Sequence, residues 1–263
     1  RLGVSVTTPT ASSITLRMIG RLDQGLGDES WAVNAFTLTN TNTSVATSSG
    51  LTINAGTGSV SNTGAVGSAR ALTGMTVTSG ALTAGAINAG SGGLSVTNSG
   101  AGSITGVITG TGGLTKAGAG TLTLSGANTY TGNTTINGGS LALTDTGKIY
   151  YNGSSSMVTN TVSVNSGTLL DVKSWDWGGS LGYLNYDMSC LVINGGTVRQ
   201  SGGASNAVAN TNNSSRQFTI GSGGVTFDSA ISGVTWTIDR DSRSNYQVAT
   251  TGNMTFTGLG NIV

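Results

Sequence analysis

The sequence predicts an all-β chain, a right-handed parallel β-helix (β-solenoid) that follows a short N-terminal two-strand segment, either sandwich-like or capping. Three observations carry this expectation. Aliphatic residues alternate with Thr, Ser and Asn over short runs, Gly and Asn recur between the runs, and the combined pattern repeats along the chain.

Composition narrows the class. Gly contributes 44 of 263 residues, charged residues 8% and Pro a single residue, Pro9, so an average enzyme and a collagen are both excluded. Hydrophobic residues make up 36% and are placed periodically, which separates the chain from disordered sequences of low hydrophobicity and high net charge. The formal net charge is +1 without a basic cluster, so nucleic acid is not an expected partner. With no His and one cysteine, Cys190, the chain lacks the commonest metal ligand, the usual general base and any intrachain disulfide. No metal or cofactor is therefore expected. No run approaches the roughly 18 apolar residues that span a bilayer, so membrane insertion by this segment is not expected. No leader-like segment opens the chain at Arg1, and the reading is of a processed or excised piece of a secreted protein.

The repeat consists of an aliphatic residue, a turn with Asn or Thr and Gly, and a second aliphatic residue. Copies begin at Ile53, Val77, Ile87, Val96, Ile136, Val164, Ile193 and Ile220, with a weaker one at Val248. From Ile136 onward the starts are 28, 29, 27 and 28 residues apart, whereas the first half reads as shorter and irregular. Each repeat is one coil, unable to bury its aliphatic face alone, and stacking at about 4.8 Å per layer creates a continuous core. Roughly ten coils give a rod about 50 Å long. Gly and Asn serve the corners, and Thr and Ser fill the outward strand positions.

The densest copy is Gly112-Gly113-Leu114-Thr115-Lys116-Ala117-Gly118-Ala119-Gly120-Thr121-Leu122-Thr123-Leu124, continuing through Asn128-Thr129-Tyr130-Thr131-Gly132-Asn133-Thr134-Thr135-Ile136-Asn137-Gly138-Gly139-Ser140-Leu141-Ala142-Leu143. It resembles the autotransporter-associated β-strand repeat of secreted bacterial surface proteins. That resemblance implies an extracellular or cell-surface, structural or adhesive role, as a rigid stalk or fibre subunit. It identifies an architecture and a secretion class, and architecture does not fix activity.

Two domains follow: residues 1–45, a strand pair that caps the rod or is the remnant of a β-sandwich, and 46–263, the β-helix. Ser13–Ile19 and Ser30–Thr39 alternate as strands around a polar loop. Asp28–Asn34 also looks like the last strand of jelly-roll sandwich domains common in large bacterial extracellular proteins. The final stretch, Asn253–Val263, alternates as a strand without a polar cap. Candidate assembly residues at the two ends are Ile14, Leu16, Trp31, Val33, Phe256 and Ile262, and head-to-tail self-association is the partner they suggest, beside other surface proteins.

Twelve of the fourteen aromatics lie at or after Tyr130. Tyr150, Tyr151, Trp175, Trp177, Tyr183 and Trp236 sit at similar phases of the late repeats, a candidate face for glycans or for another protein, against the plainer reading that they cover strand ends. A carbohydrate-binding or polysaccharide-processing β-helix is the alternative function. Its acids would come from Asp171 with Asp176, or from Asp239 and Asp241, since glycoside hydrolysis needs two carboxyl groups about 5–10 Å apart. Alternating charges are more often solvated pairs, so no catalytic residues are assigned and the chain is read as a non-enzyme. For calcium, Asp28 with Glu29 is too small a ligand set, and Gly223-Gly224-Val225-Thr226-Phe227-Asp228 occurs once and lacks a needed Gly. Cys190 reads as a small buried hydrophobe.

Overall fold

A computed structural model of the chain describes residues 13–17, 50–149, 160–173, 191–202, 218–231, 235–236, 249–259 and 261–262. They form a parallel β-helix, and all are strand, bridge, turn or unassigned backbone, with no helix. The longer sheet, A, contains ten strands in chain order: β1 (Ser13–Arg17), β2 (Gly50–Asn54), β4 (Met75–Ser79), β7 (Leu94–Asn98), β10 (Leu114–Ala117), β12 (Thr134–Ile136), β14 (Val162–Asn165), β16 (Leu191–Asn194), β18 (Phe218–Ile220) and β21 (Ala249–Thr250). Sheet B contains nine: β3 (Val60–Asn62), β5 (Leu82–Ala84), β8 (Gly102–Ile104), β11 (Thr121–Leu124), β13 (Ser140–Leu143), β15 (Leu169–Val172), β17 (Gly196–Gln200), β19 (Val225–Ser229) and β22 (Met254–Gly258). A third side is marked by β6 (Ile87–Asn88) on β9 (Ile108–Thr109), and far along the chain by β20 (Thr235–Trp236) on β23 (Asn261–Ile262). Each coil thus runs from A to B to the third side and back.

The core is a set of side-chain rows, each made by residues in direct register. Leu51, Met75, Leu94 and Leu114 form one row inside sheet A, with Ile53, Val77 and Val96 beside them. Leu122 and Leu141 stack inside sheet B, and Leu124 over Leu143 beside them. Alternation of period two sends these side chains inward and the intervening Thr and Ser outward, which is why four-residue strands suffice.

Register corrects three sequence expectations. The first half is regular: Met75, Leu94, Leu114 and Thr134 are successive partners, steps of 19, 20 and 20 residues. Its irregularity came from two misread starts. Ile87 belongs to the third side, in β6, while the true start between Val96 and Ile136 is Lys116, which a search for aliphatics passes over. Late in the chain Ile220 pairs with Thr250, two residues beyond the Val248 expected. An even slip keeps the same face, so the alternation looked right at either position.

The corner between sheets A and B is nearly invariant. Three residues separate β7 from β8, β10 from β11, β12 from β13 and β14 from β15. Gly118, Gly139, Gly167, Gly195 and Gly224 stand at these corners with φ between 60° and 82°, a region that L residues with a Cβ avoid. The return from B to A is different. Nine residues separate β8 from β10 and β11 from β12, but 18 separate β13 from β14 and β15 from β16, 17 separate β17 from β18 and 19 separate β19 from β21. The longer late period is therefore inserted entirely on the third side.

Of the segment expected over residues 1–45, β1 is described. Its backbone runs parallel to β2, Ser13 opposite Gly50, at the edge of sheet A. Ser30–Thr39 lies outside the described residues.

Candidate functional site

Residues 112–143 contain polar groups that an apolar core would not predict. Lys116 occupies the Val96–Ile136 row and is fully buried. Its stem continues the aliphatic row, and its ammonium reaches the A–B corner, donating to the carbonyls of Ala117 (2.7 Å), Gly118 (3.0 Å) and Gly138 (3.1 Å). Three donors meet three acceptors, the last from the following coil, so the ammonium ties two layers together. Burial pushes its pKa from 10.5 down to about 8.

Asn128 does the equivalent on the third side. Its Oδ1 accepts the Ile108 N–H (2.8 Å) from the coil below, and its Nδ2 donates to Gly126 O (3.0 Å) and to Lys148 O (2.7 Å) in the coil above. A fully buried side chain thus completes the ladder where the backbone bends away. Tyr130 is buried rather than displayed, its hydroxyl 2.6 Å from that of Thr134. Thr134 stands in the inward row between Leu114 and Val162, so each hydroxyl gives the other a partner inside the core. Gly120 admits no side chain: a Cβ there would lie 1.9 Å from Gly100 O of the preceding coil.

A family model, the passenger-associated-transport-repeat, matches residues 114–143. Residues 114–143 are a passenger repeat of autotransporter type. No curated protein and no solved structure gives a match.

The passenger repeat spans one full coil and the sheet A and B strands of the next, from β10 through β13. Its conspicuous residues have structural work to do: leucines for the inner rows, glycines for the corner and for layer contact, Asn128, Tyr130 and Thr134 for buried hydrogen bonds. None of them forms an open site. Spacing alone did not reveal the Tyr130–Thr134 pair or the corner role of Lys116, although a lysine at a position where every neighbouring repeat has Ile or Val was a signal available in the sequence.

The surface changes character at the end of the passenger repeat. Between Gly50 and Leu143 the sequence carries two charged residues, Arg70 and the buried Lys116. Beyond it the third side lengthens and charge appears on the outer face of sheet B. Asp171, Arg199, Asp228 and Thr257 are successive register partners. Arg199 Nε donates to Asp228 Oδ2 (2.6 Å), the Thr257 hydroxyl donates to Asp228 Oδ1 (3.0 Å), and the Ser201 hydroxyl donates to Asp171. An arginine thus stands between the two carboxylates in the ladder, which neutralises them instead of setting up an acid and a base. Asn amides form a parallel feature on sheet A: Asn165 Nδ2 donates to Asn137 Oδ1 (2.6 Å) and Asn165 is in register with Asn194.

The expected site residues fall as follows. Tyr150, Tyr151, Trp175, Trp177 and Tyr183 lie outside the described residues, in the long B-to-A returns, as do Asp176, Asp239, Asp241 and Cys190. Trp236 is in β20, which pairs with β23, the strand of Ile262; Ile14 and Leu16 are in β1. Trp31, Val33, Asp28 and Glu29 lie outside the described residues. Phe256 is half-buried and stacks on Phe227 with ring centroids 5.5 Å apart, continuing the inner row of sheet B. Among the described residues no three His, Cys, Asp or Glu side chains converge as a metal site, and no helix is long and apolar enough to cross a membrane.

Proposed function

We propose that the chain is the rigid β-helical shaft of a secreted bacterial surface protein, its passenger portion, and that it makes its contacts from the flank where the returns lengthen after Leu143. The observation that carries this is the division of labour within each coil. Sheets A and B and the corner between them repeat with little change, while about nine extra residues per coil enter at one side. A ladder of parallel strands supplies stiffness, and excursions that leave from stacked points of one sheet and rejoin stacked points of the other supply variable surface. The passenger repeat supports export to the cell surface or beyond. Adhesive and structural roles both fit a shaft, and residues 1–45 fit as its cap. Imaging of the mass-verified 263-residue chain across a dilution series tests the proposal: isolated rods about 45–50 Å long are expected. Compact globules would overturn the shaft reading, and regular fibres would make the chain a filament subunit.

A second reading concerns what the flank holds. Five of the six candidate aromatics, Tyr150 to Tyr183, fall in two consecutive long returns, and Trp236 falls in a third. Aromatic rings stack on sugar faces and anchor protein contacts, which makes glycans one partner class and other surface proteins, or a second copy, the other. Replacing Trp175 and Trp177 by Ala separates them. Loss of retention on a glycan array assigns the flank to glycans, and a parent chain that binds no glycan leaves the protein class.

A further inference from the structure

One coil before the passenger repeat, the inside of the A–B corner holds two polar side chains in adjacent layers. Ser79 ends β4 and Asn98 ends β7, and the two are register partners. Both point inward and are 2% and 0% exposed. The Asn98 amide is anchored on its nitrogen side, with Nδ2 donating to Gly100 O and, across the coil boundary, to Thr121 O at 3.0 Å. Turning the amide over would set its oxygen against two carbonyl oxygens, so the orientation is fixed by chemistry. Asn98 Oδ1 and Ser79 Oγ are the atoms left without a protein partner.

The composition of the inner row explains why an amide fits there. Leu82, Gly102 and Leu122 are successive partners inside sheet B, and the glycine leaves a leucine out of the row beside Asn98; a Cβ on Gly102 would stand 3.2 Å from Asn98 Nδ2. One layer further on, the nearest strong donor is the Lys116 ammonium, but its three hydrogens are committed to Ala117, Gly118 and Gly138. The missing donor has to come from outside the chain.

We propose that Ser79 and Asn98 form a binding site for one internal water molecule that bridges successive coils. Water donates one hydrogen to Asn98 Oδ1 and shares the other with the Ser79 hydroxyl, meeting the two-partner minimum of buried waters. The chemistry disfavours other occupants. A hard cation would find two neutral oxygens and an ammonium nearby, where calcium requires six to eight oxygen ligands. An anion would find an acceptor, Oδ1, and a single hydroxyl. The water would make this corner the hydrated counterpart of the one that Lys116 closes a coil later.

Two measurements on the full chain decide it. A crystal structure at a resolution that shows ordered solvent should contain density within hydrogen-bond distance of both Ser79 Oγ and Asn98 Oδ1. Ser79→Ala, a small change at a strand end, should lower Tm by about 2–4 °C, because it strips a partner from a satisfied network. An unchanged or higher Tm would mean that the hydroxyl was a true orphan whose removal costs nothing, and would overturn the proposal. A corner without density between the two side chains would overturn it equally.

Discussion

Lys116→Met isolates the cost of a charge inside the core while keeping an unbranched chain of similar length. The wild-type ammonium has a pKa near 8 in the folded chain against 10.5 when unfolded. Below about pH 8 both states hold the proton, and the folded state bears the full burial cost. Between about 8 and 10.5 only the unfolded chain holds it, so wild-type stability rises with pH, and above both values the cost is gone. Integrated from pH 7 to 9.5, the rise amounts to about 2 kcal/mol. At pH 7 the variant escapes the burial cost, about 3 kcal/mol from the same shift, but leaves the carbonyls of Ala117, Gly118 and Gly138 without their ammonium donor at about 1 kcal/mol each. The two proteins should therefore start close together at pH 7, and the wild type should pull ahead as pH rises. Guanidinium unfolding of both, followed by circular dichroism at intervals between pH 7 and 9.5, reads the difference directly. Parallel pH profiles would refute the reasoning, since they would mean that the carbonyl cradle holds the ammonium at its ordinary pKa despite burial.

Other substitutions probe the layers separately. Gly120→Ala forces a Cβ to within 1.9 Å of Gly100 O, so the coils must part, and a loss of about 3 kcal/mol with new proteolytic cleavage at this corner is expected. Asn128→Leu strips partners from Ile108 N–H, Gly126 O and Lys148 O at a cost of about 2–4 kcal/mol, and hydrogen exchange at the Ile108 amide should accelerate. Arg199→Met breaks a half-exposed pair and should cost about 0.5–1 kcal/mol, a difference that shrinks in 1 M salt. Tyr130→Phe leaves the buried Thr134 hydroxyl without its partner and should cost about 1–2 kcal/mol, with much of the loss recovered when Thr134→Val is added; a second substitution that simply adds to the first would show that the hydroxyls do not act as a pair.

The fold was legible because its signal is periodic. Leu122 and Leu124, then Leu141 and Leu143, announce stacked strands by alternation and by repetition, and they pair in that register. Where the periodic residue changes class, reading failed: Lys116 hid a coil, and Ile87, an aliphatic of the third side, imitated one. Thr134 shows the same limit, since a threonine in an inward row looks like any outward threonine until Tyr130 is known to reach it. Assigning Asp228 to the outer ladder also needed register, because Arg199 lies 29 residues away and meets it only through coil stacking. The aromatics of the late returns were visible as a group at a common phase, and the strand boundaries give that phase a physical meaning, the B-to-A side of the coil.

The asymmetry between the two corners follows from what each connects. At the A–B corner, three residues turn the chain between two strands whose inner rows touch, and Gly118 O and Gly138 O point at a shared ammonium. An inserted residue there would rotate every following side chain to the wrong face and separate the acceptors. The B-to-A return has looser obligations: in the compact coils it contributes one inward side chain such as Ile87 or Ile108 and a few backbone bonds, and Asn128 can replace a backbone link with a side chain. Extra residues can therefore loop out at that side without disturbing register, because loop-closure entropy grows only slowly with length, about 0.6 kcal/mol per doubling. Doubling the return from nine to 18 residues thus costs little beside what each added coil buries. Sequence variation is channelled to one flank by this difference in constraint, which is the physical reason to look for the protein's contacts there.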